Sequence, residues 1–317
     1  MKILFAGHKE RGVRCLRALV TAGHEIVHVL VHPEGRTTSP DHDVAAAAWE
    51  LGLPVLQPAR VDEARVMALL QARHPALIVL AGYGPIVGPD LLRLAPNGCL
   101  NLHGGKLPQY RGSSPMNWAL INGETSLTIS IVAADTGVDT GDVLLERTFP
   151  IGMDDTIADL HRIANAAFPE LLLEAIRQIQ AGTAKPRKQD QALAAYYPLR
   201  FPDDGLLMWD LCTAVQIHNR IRALTDPYPG AFTFLKGRRV RLLRSALAKS
   251  TYHGEPGRVY LKSRRGLLVC ALDRCLWIQR AIFEDGGTDA VETIERYDKF
   301  ATVRDVAAAH AMTDSWK

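Results

Sequence analysis

The sequence predicts an α/β protein: a doubly wound, mostly parallel sheet of Rossmann-like type, followed by a smaller C-terminal open β-barrel (OB-like) domain. Three observations predict it. Over the first 150 residues, short apolar runs alternate with stretches of helical apolar spacing, the rhythm of βαβ units. One of those runs, Ala76–Ala81, is continuously apolar, as a strand buried on both faces should be. Beyond residue 200 the pattern changes to five short strand-like runs separated by turn residues.

The elements follow in order. Lys2–Ala6 reads as a strand ended by Gly7, and Arg14–Thr21 as a helix through Cys15, Leu16, Leu19 and Val20, stopped by Gly23. Glu25–Val31 is a second strand, Val44–Leu51 a helix, Pro54–Leu56 a short strand and Asp62–Ala72 another helix. Cys99–His103 and Leu127–Ala133 complete the sheet. Thr156–Gln180 is the longest helical run: Thr156 and Asp159 suit a capping box, and Ile157, Leu160, Ile163, Ala167 and Leu171 share one face. Residues 183–205 read as a linker, rich in proline and charge. Then come a helix over Cys212–Ala223, the rigid turn Asp226–Gly230, and strands over Ala231–Leu235, Arg239–Ser245, Gly257–Lys262, Gly266–Ala271 and Leu276–Arg280. Two domains are expected, residues 1–200 and 201–317.

Apolar content of 47% and charged content of 22% describe an ordinary globular chain. No window approaches the roughly 18 consecutive apolar residues of a spanning helix. The N-terminal Met1–Phe5 runs straight into Gly7 and charged residues, unlike a secretory leader. Cys15, Cys99, Cys212, Cys270 and Cys275 are odd in number and scattered without metal-ligand spacing, which suits a reducing cytoplasm. With 37 basic against 34 acidic residues, the net charge of +3 does not by itself imply nucleic-acid binding. The arginines over Lys236–Arg244 and Lys262–Arg265 read as solvated strand faces.

The chemistry concentrates at the end of the Cys99–His103 run. Residues two apart in a strand share a face, so Asn101 and His103 stand side by side as an amide donor and a titratable base. Asp139, between turn glycines, would arrive from a loop. The three supply an oxyanion donor, a proton acceptor and a group that orients the base. Gly104 and Gly105 allow close approach to the backbone. Ser113-Ser114-Pro115 looks like a helix start, where Arg111 could help hold an anion.

The motifs Asn101-Leu102-His103, Leu107-Pro108-Gln109-Tyr110-Arg111-Gly112-Ser113-Ser114-Pro115 and Asp139-Thr140-Gly141 resemble the core of the folate-dependent formyltransferases. Phe5-Ala6-Gly7 and Asp226-Pro227-Tyr228-Pro229-Gly230 extend the resemblance over nearly the whole chain. One departure is visible: Gly105-Lys106 stands where the family usually has Ser-Leu. The resemblance implies catalytic roles for Asn101, His103 and Asp139 and N10-formyltetrahydrofolate as cosubstrate. It places the folate among Gly82, Tyr83, Gly84, Pro85, Ile86, Leu107, Ala134, Asp135 and Val138.

The acceptor amine needs a separate argument. The family's tRNA-directed members carry a basic insertion after the second strand. Here His32–Asp43 is short, with one arginine and several acids. The expectation is therefore a nucleotide-linked amino sugar, as for the UDP-4-amino-4-deoxy-arabinose formyltransferases, with nucleic acid an unlikely partner. Methionyl-tRNA, or a small amine such as a hydroxyornithine, is the alternative. Candidate acceptor contacts are His8, Lys9, Arg11, Gly104, Gly105, Lys106, Arg111, Ser113, Ser114, Asn117 and Trp118. No membrane partner is expected, and a homodimer would be unsurprising.

Overall fold

In the computed structural model, which describes residues 1–32, 43–85, 87–287 and 289–305, the alternating runs become a seven-stranded sheet. The N-terminal elements are β1 (Lys2–Gly7), α1 (Lys9–Thr21), β2 (Glu25–Leu30), α2 (Val44–Glu50), β3 (Val55–Leu56), α3 (Ala64–Gln71), β4 (Leu77–Ala81), α4 (Pro89–Leu92) and β5 (Cys99–His103). They continue with β6 (Arg111–Gly112), α5 (Pro115–Ile121), β7 (Ser126–Ala133), β8 (Val143–Pro150), α6 (Ile157–Gln180) and β9 (Tyr196–Tyr197). The sheet order is β3-β2-β1-β4-β5-β7-β8, with β6 and β9 forming a separate parallel pair. From β3 to β5 all neighbours are parallel; β7 and β8 add an antiparallel edge. β4 is buried at every position and β1 from Ile3 onward, which is why both read as unbroken apolar runs. Edge strand β8 alternates half-buried with exposed residues and carries Glu146 and Arg147, so its composition hid it from the sequence reading.

The chain divides into two compact units. The first comprises Met1–Pro115, Ser126–Pro150 and His161–Pro198, and the second Met116–Thr125, Ile151–Leu160 and Leu199–Lys317. In the second unit, α7 (Ala214–Leu224) precedes β10 (Ala231–Leu235), β11 (Arg238–Leu247), β12 (Val259–Ser263), β13 (Gly266–Cys270), β14 (Cys275–Phe283) and α8 (Ala290–Thr293). The five strands form one antiparallel sheet, β10-β11-β14-β13-β12. Fully buried Trp209 stacks on Phe300 at 5.3 Å and donates from Nε1 to Thr233 Oγ1 at 3.0 Å, so its polar edge is satisfied.

Two local expectations resolve differently. Asp159 Oδ2 accepts from both the backbone N and Oγ1 of Thr156, at 3.0 and 2.8 Å, capping α6 as the spacing implied. The cysteines are not all scattered: Cys270 and Cys275 lie opposite each other across β13 and β14, while Cys15, Cys99 and Cys212 are buried elsewhere. A separation of five residues looks scattered along the chain but becomes a cross-strand pair once the hairpin forms.

Helices α1 and α6 meet through Glu10, whose Oε2 accepts from Asn165 Nδ2 at 3.0 Å. Burial pulls the His161 imidazole on α6 down to about 4, with Arg11 and Lys9 lowering it further and Glu10 opposing them. The unfolded chain protonates this histidine near pH 6.5, while the folded one resists until about 4. The stabilisation is therefore complete above 6.5 and is lost as pH falls toward 4. Replacing His161→Gln should flatten the decline of unfolding free energy between pH 7 and 4, measured by urea denaturation. Parallel wild-type and variant curves would refute this role.

Candidate active site

Strand β5 lies between β4 and β7. β7 runs antiparallel to it, with Ala133 opposite Leu100, so the following loop must come back along β5 to reach Asn101. It does so at Asp139. Asp139 Oδ1 accepts from Asn101 Nδ2 at 3.1 Å and lies 3.5 Å from His103 Nδ1. Asp139 Oδ2 accepts from the backbone N of Gly112 at 2.9 Å. Amide, imidazole and carboxylate are thus gathered around one oxygen. Both His103 and Asp139 are nearly closed to solvent, with side chains 6% and 11% exposed.

The bonding settles which protons are where. A carbonyl only accepts, so His103 Nε2, 2.6 Å from the Tyr110 carbonyl, carries a hydrogen and donates it. Its Nδ1 is then the nitrogen that gains or loses a proton, facing Asp139. A carboxylate likewise only accepts, so the Asn101 group facing it is the NH2. One of its two hydrogens is committed to Asp139, and the other is available to a developing oxyanion.

The supports of this cluster were not read from the sequence. Gln189, in the stretch taken as a linker, donates from Nε2 to the Asp139 carbonyl at 2.8 Å and to the Gly141 carbonyl at 2.6 Å. Arg111 is fully buried and donates to Gln189 Oε1 from Nε (3.0 Å) and Nη2 (2.8 Å). Its Nη1 reaches Gln191 Oε1 at 3.0 Å and the Tyr196 hydroxyl at 2.7 Å. Arg111 therefore braces the interior and is not an acceptor contact. A guanidinium buried this completely has its donors consumed by the fold. Gly112 follows it at φ +95°, where a Cβ would strike the Tyr197 carbonyl, so only glycine fits.

Other expectations separate. Arg11 donates from Nη1 to the carbonyl of Leu102 at 3.3 Å, just beyond the last β4–β5 pair, and its guanidinium lies over Phe168 at 4.4 Å. It holds the strand segment between Asn101 and His103. His8 stacks on His32 at 4.1 Å, and Lys9 is exposed. Gly82 and Gly84 are exposed and Tyr83 and Pro85 half-buried on the loop after β4; Ile86 lies outside the described residues, as do residues 33–42 of the segment read as a short insertion. Leu107 is buried against Val132 and Val143, Ala134 is half-buried, and Val138 is 53% exposed. Asp135 Oδ1 accepts from Gly137 N and Thr140 Oγ1, at 3.0 and 2.6 Å, bracing the Asp139 turn. Ser113 and Ser114 are half-buried, Gly104 and Gly105 buried, and Lys106 exposed. In the second unit, Asn117 is buried and spends its Nδ2 on the Ala223 carbonyl at 2.8 Å, so it serves packing and not an acceptor. Half-buried Trp118 lies 4.8 Å under the Arg200 guanidinium.

An amide donor and an imidazole–carboxylate pair on a doubly wound sheet fit an enzyme that passes an acyl group to a nucleophile. Sequence comparison gives the family: residues 1–176 match the formyl transferase family and residues 201–294 the formyl transferase C-terminal domain. The chain belongs to the formyl transferases. Methionyl-tRNA formyltransferase of Anaeromyxobacter dehalogenans is 40% identical over 292 residues, covering 90% of this chain and 93% of that one. The Geobacter sulfurreducens enzyme of the same name is 38% identical over 274 residues, covering 85% of each. Among solved structures, an N-formyltransferase from Helicobacter canadensis, in complex with folinic acid and dTDP-3-aminofucose, superposes with a TM-score of 0.68. It shares 18% identity over 88% of this chain and 99% of its own, and supports the fold alone.

These relatives overturn the expected amino-sugar acceptor and the expectation that nucleic acid is an unlikely partner. Proteins sharing 38–40% identity along almost the whole chain are methionyl-tRNA formyltransferases. The inference from charge failed because net charge is a sum over the chain, whereas phosphate contacts depend on local patches. The composition of one loop does not exclude contacts elsewhere.

The departure at Gly105 has a steric account. A Cβ there would lie 2.8 Å from Pro115 Cβ, 2.9 Å from His103 Nε2 and 3.0 Å from Tyr110 Cβ. Gly105→Ser should therefore crowd His103 off the Tyr110 carbonyl and cost about 1–3 kcal/mol by overpacking, read from denaturant midpoints. A serine variant as stable and as active as the parent would contradict this packing.

Proposed function

We propose that this protein transfers the formyl group of N10-formyltetrahydrofolate to the amino group of methionyl-tRNA. The observation that carries the chemistry is the convergence of Asn101, His103 and Gly112 N on the carboxylate of Asp139. The names of the full-length relatives support the acceptor. The cosubstrate supplies an activated one-carbon acyl group. The donor set fits it, since an amide N–H and a proton-accepting pair are what formyl transfer to an amine requires.

In this reading Asn101 donates its second N–H to the oxygen of the formyl group as negative charge develops there. His103, fixed by the Tyr110 carbonyl, offers Nδ1 on the Asp139 side to take the proton shed by the attacking amine. Asp139 stabilises the imidazolium so formed, and the proton passes on to the folate nitrogen as the carbon–nitrogen bond to it breaks. Gly82, Tyr83, Gly84 and Pro85, on the loop after β4, and Leu107, Ala134, Asp135 and Val138 form the folate-side lining. Lys106, Ser113 and Ser114 are the acceptor-side candidates. Catalysis belongs to residues 1–200, with 201–317 as the C-terminal module. No described helix is long and apolar enough to cross a membrane, and charged tRNA as substrate puts the activity in the cytoplasm.

Removing an oxyanion donor costs about 3–4 kcal/mol in other acyl-transfer enzymes. Asn101→Ala should accordingly lower kcat/KM for formylation of methionyl-tRNA by roughly a hundredfold or more. The KM for the tRNA should rise steeply with added salt while that for the folate moves little. Absence of formyl-methionyl-tRNA product from the wild-type protein, or full turnover by a folded Asn101→Ala variant, would sink the assignment.

A further inference from the structure

We infer that Gln189 is a positioning residue for catalysis, with Arg111 as the group that sets its orientation. The inference rests on the proposed function. Asp139 is not a glycine, yet it sits at φ +52°, in the left-handed region that crowds a residue with a Cβ. Its carboxylate reaches Asn101, His103 and Gly112 from this one backbone conformation. Asp135 braces the turn from within, and the Gln189 side chain ties it to the rest of the fold, its Nε2 bridging the carbonyls of Asp139 and Gly141 at 2.8 and 2.6 Å. The two carbonyls therefore converge on one nitrogen, and the turn closes around it.

A glutamine amide can be turned either way, and only one orientation presents hydrogens to two carbonyls. Arg111 removes the choice. Its Nε and Nη2 both donate to Gln189 Oε1, which must be the oxygen because a guanidinium offers only donors. Both hydrogens of the NH2 are left for the turn. Gln189 is 7% exposed and Arg111 is fully buried, so water does not compete for these bonds. Gly112, the residue after Arg111, also supplies the N–H on Asp139 Oδ2. Arg111-Gly112 thus acts on the carboxylate by two routes: through the peptide N–H directly, and through Gln189 on the backbone behind it.

Gln189→Glu tests this. The variant keeps the shape and a partner for Arg111 but turns oxygen toward two carbonyls. Expected is a fall in kcat of tenfold or more, with KM for methionyl-tRNA and for N10-formyltetrahydrofolate each within threefold of wild type. In an Asp139→Asn background the same change should cost less than twofold, because Gln189 acts only through Asp139. If Gln189→Glu does not accumulate as folded protein, Gln189→Asn, with the same groups on a stem one methylene shorter, is read in the same way. A rise in KM at unchanged kcat, wild-type turnover, or full additivity with Asp139→Asn would overturn the role of Gln189 while leaving the proposed function standing. Near-normal turnover in Asp139→Asn alone would overturn both.

Discussion

The carboxylate of Asp139 is the interaction on which the site depends. It accepts from the amide on β5, faces the imidazole from β5 and takes the backbone N–H of Gly112. None of those three groups can be oriented for acyl transfer by its own strand alone. An asparagine amide at a strand end rotates, and a histidine has two tautomers. Asp139 fixes the amide and the Tyr110 carbonyl fixes the tautomer, and the low exposure of His103 and Asp139 keeps water from restoring either freedom. The cost is a non-glycine residue held in the left-handed region, a small strain beside the amide and the imidazole.

The surrounding fold serves that arrangement. The parallel core β1-β4-β5 supplies a rigid, doubly buried base, so Asn101 and His103 are carried on an element that cannot shift without disrupting the sheet. Arg11 on α1 secures the carbonyl of Leu102 between them. On the far side, the antiparallel turn from β7 to β8 makes the loop long enough to return to β5. Asp135 and Gln189 then shape its tip.

Placing this chain among the formyl transferases also shows where charge arguments lose their force. A chain can be nearly neutral overall and still present basic surface. In the second unit, Arg244 and Arg280 are register partners on β11 and β14. Asp226, 3.7 Å from Arg280, offsets part of that charge locally, whereas acids elsewhere on the chain lower only the sum. A count of residues therefore separates a sugar phosphate from a tRNA poorly, whereas the relatives that match over most of the chain are named for the tRNA reaction.

The sequence by itself determined the α/β alternation, the buried strands and the placing of Asn101 and His103 on one strand face, while Asp139 joined them only through the family resemblance. Those signals are local or sit in contiguous motifs: apolar period, turn glycines, and residue types that chemistry requires at short spacing. It did not show β8, whose edge position leaves a mixed composition, nor the pairing of Cys270 with Cys275 across a hairpin. It misread Arg111, because an arginine beside a helix start looks like an anion contact until its burial is known. Gln189 was invisible for the same reason. Its partners Asp139, Gly141 and Arg111 lie dozens of residues away. Only tertiary packing decides which distant donors and acceptors meet, since a hydrogen bond depends on where two groups end up in space and not on their separation along the chain.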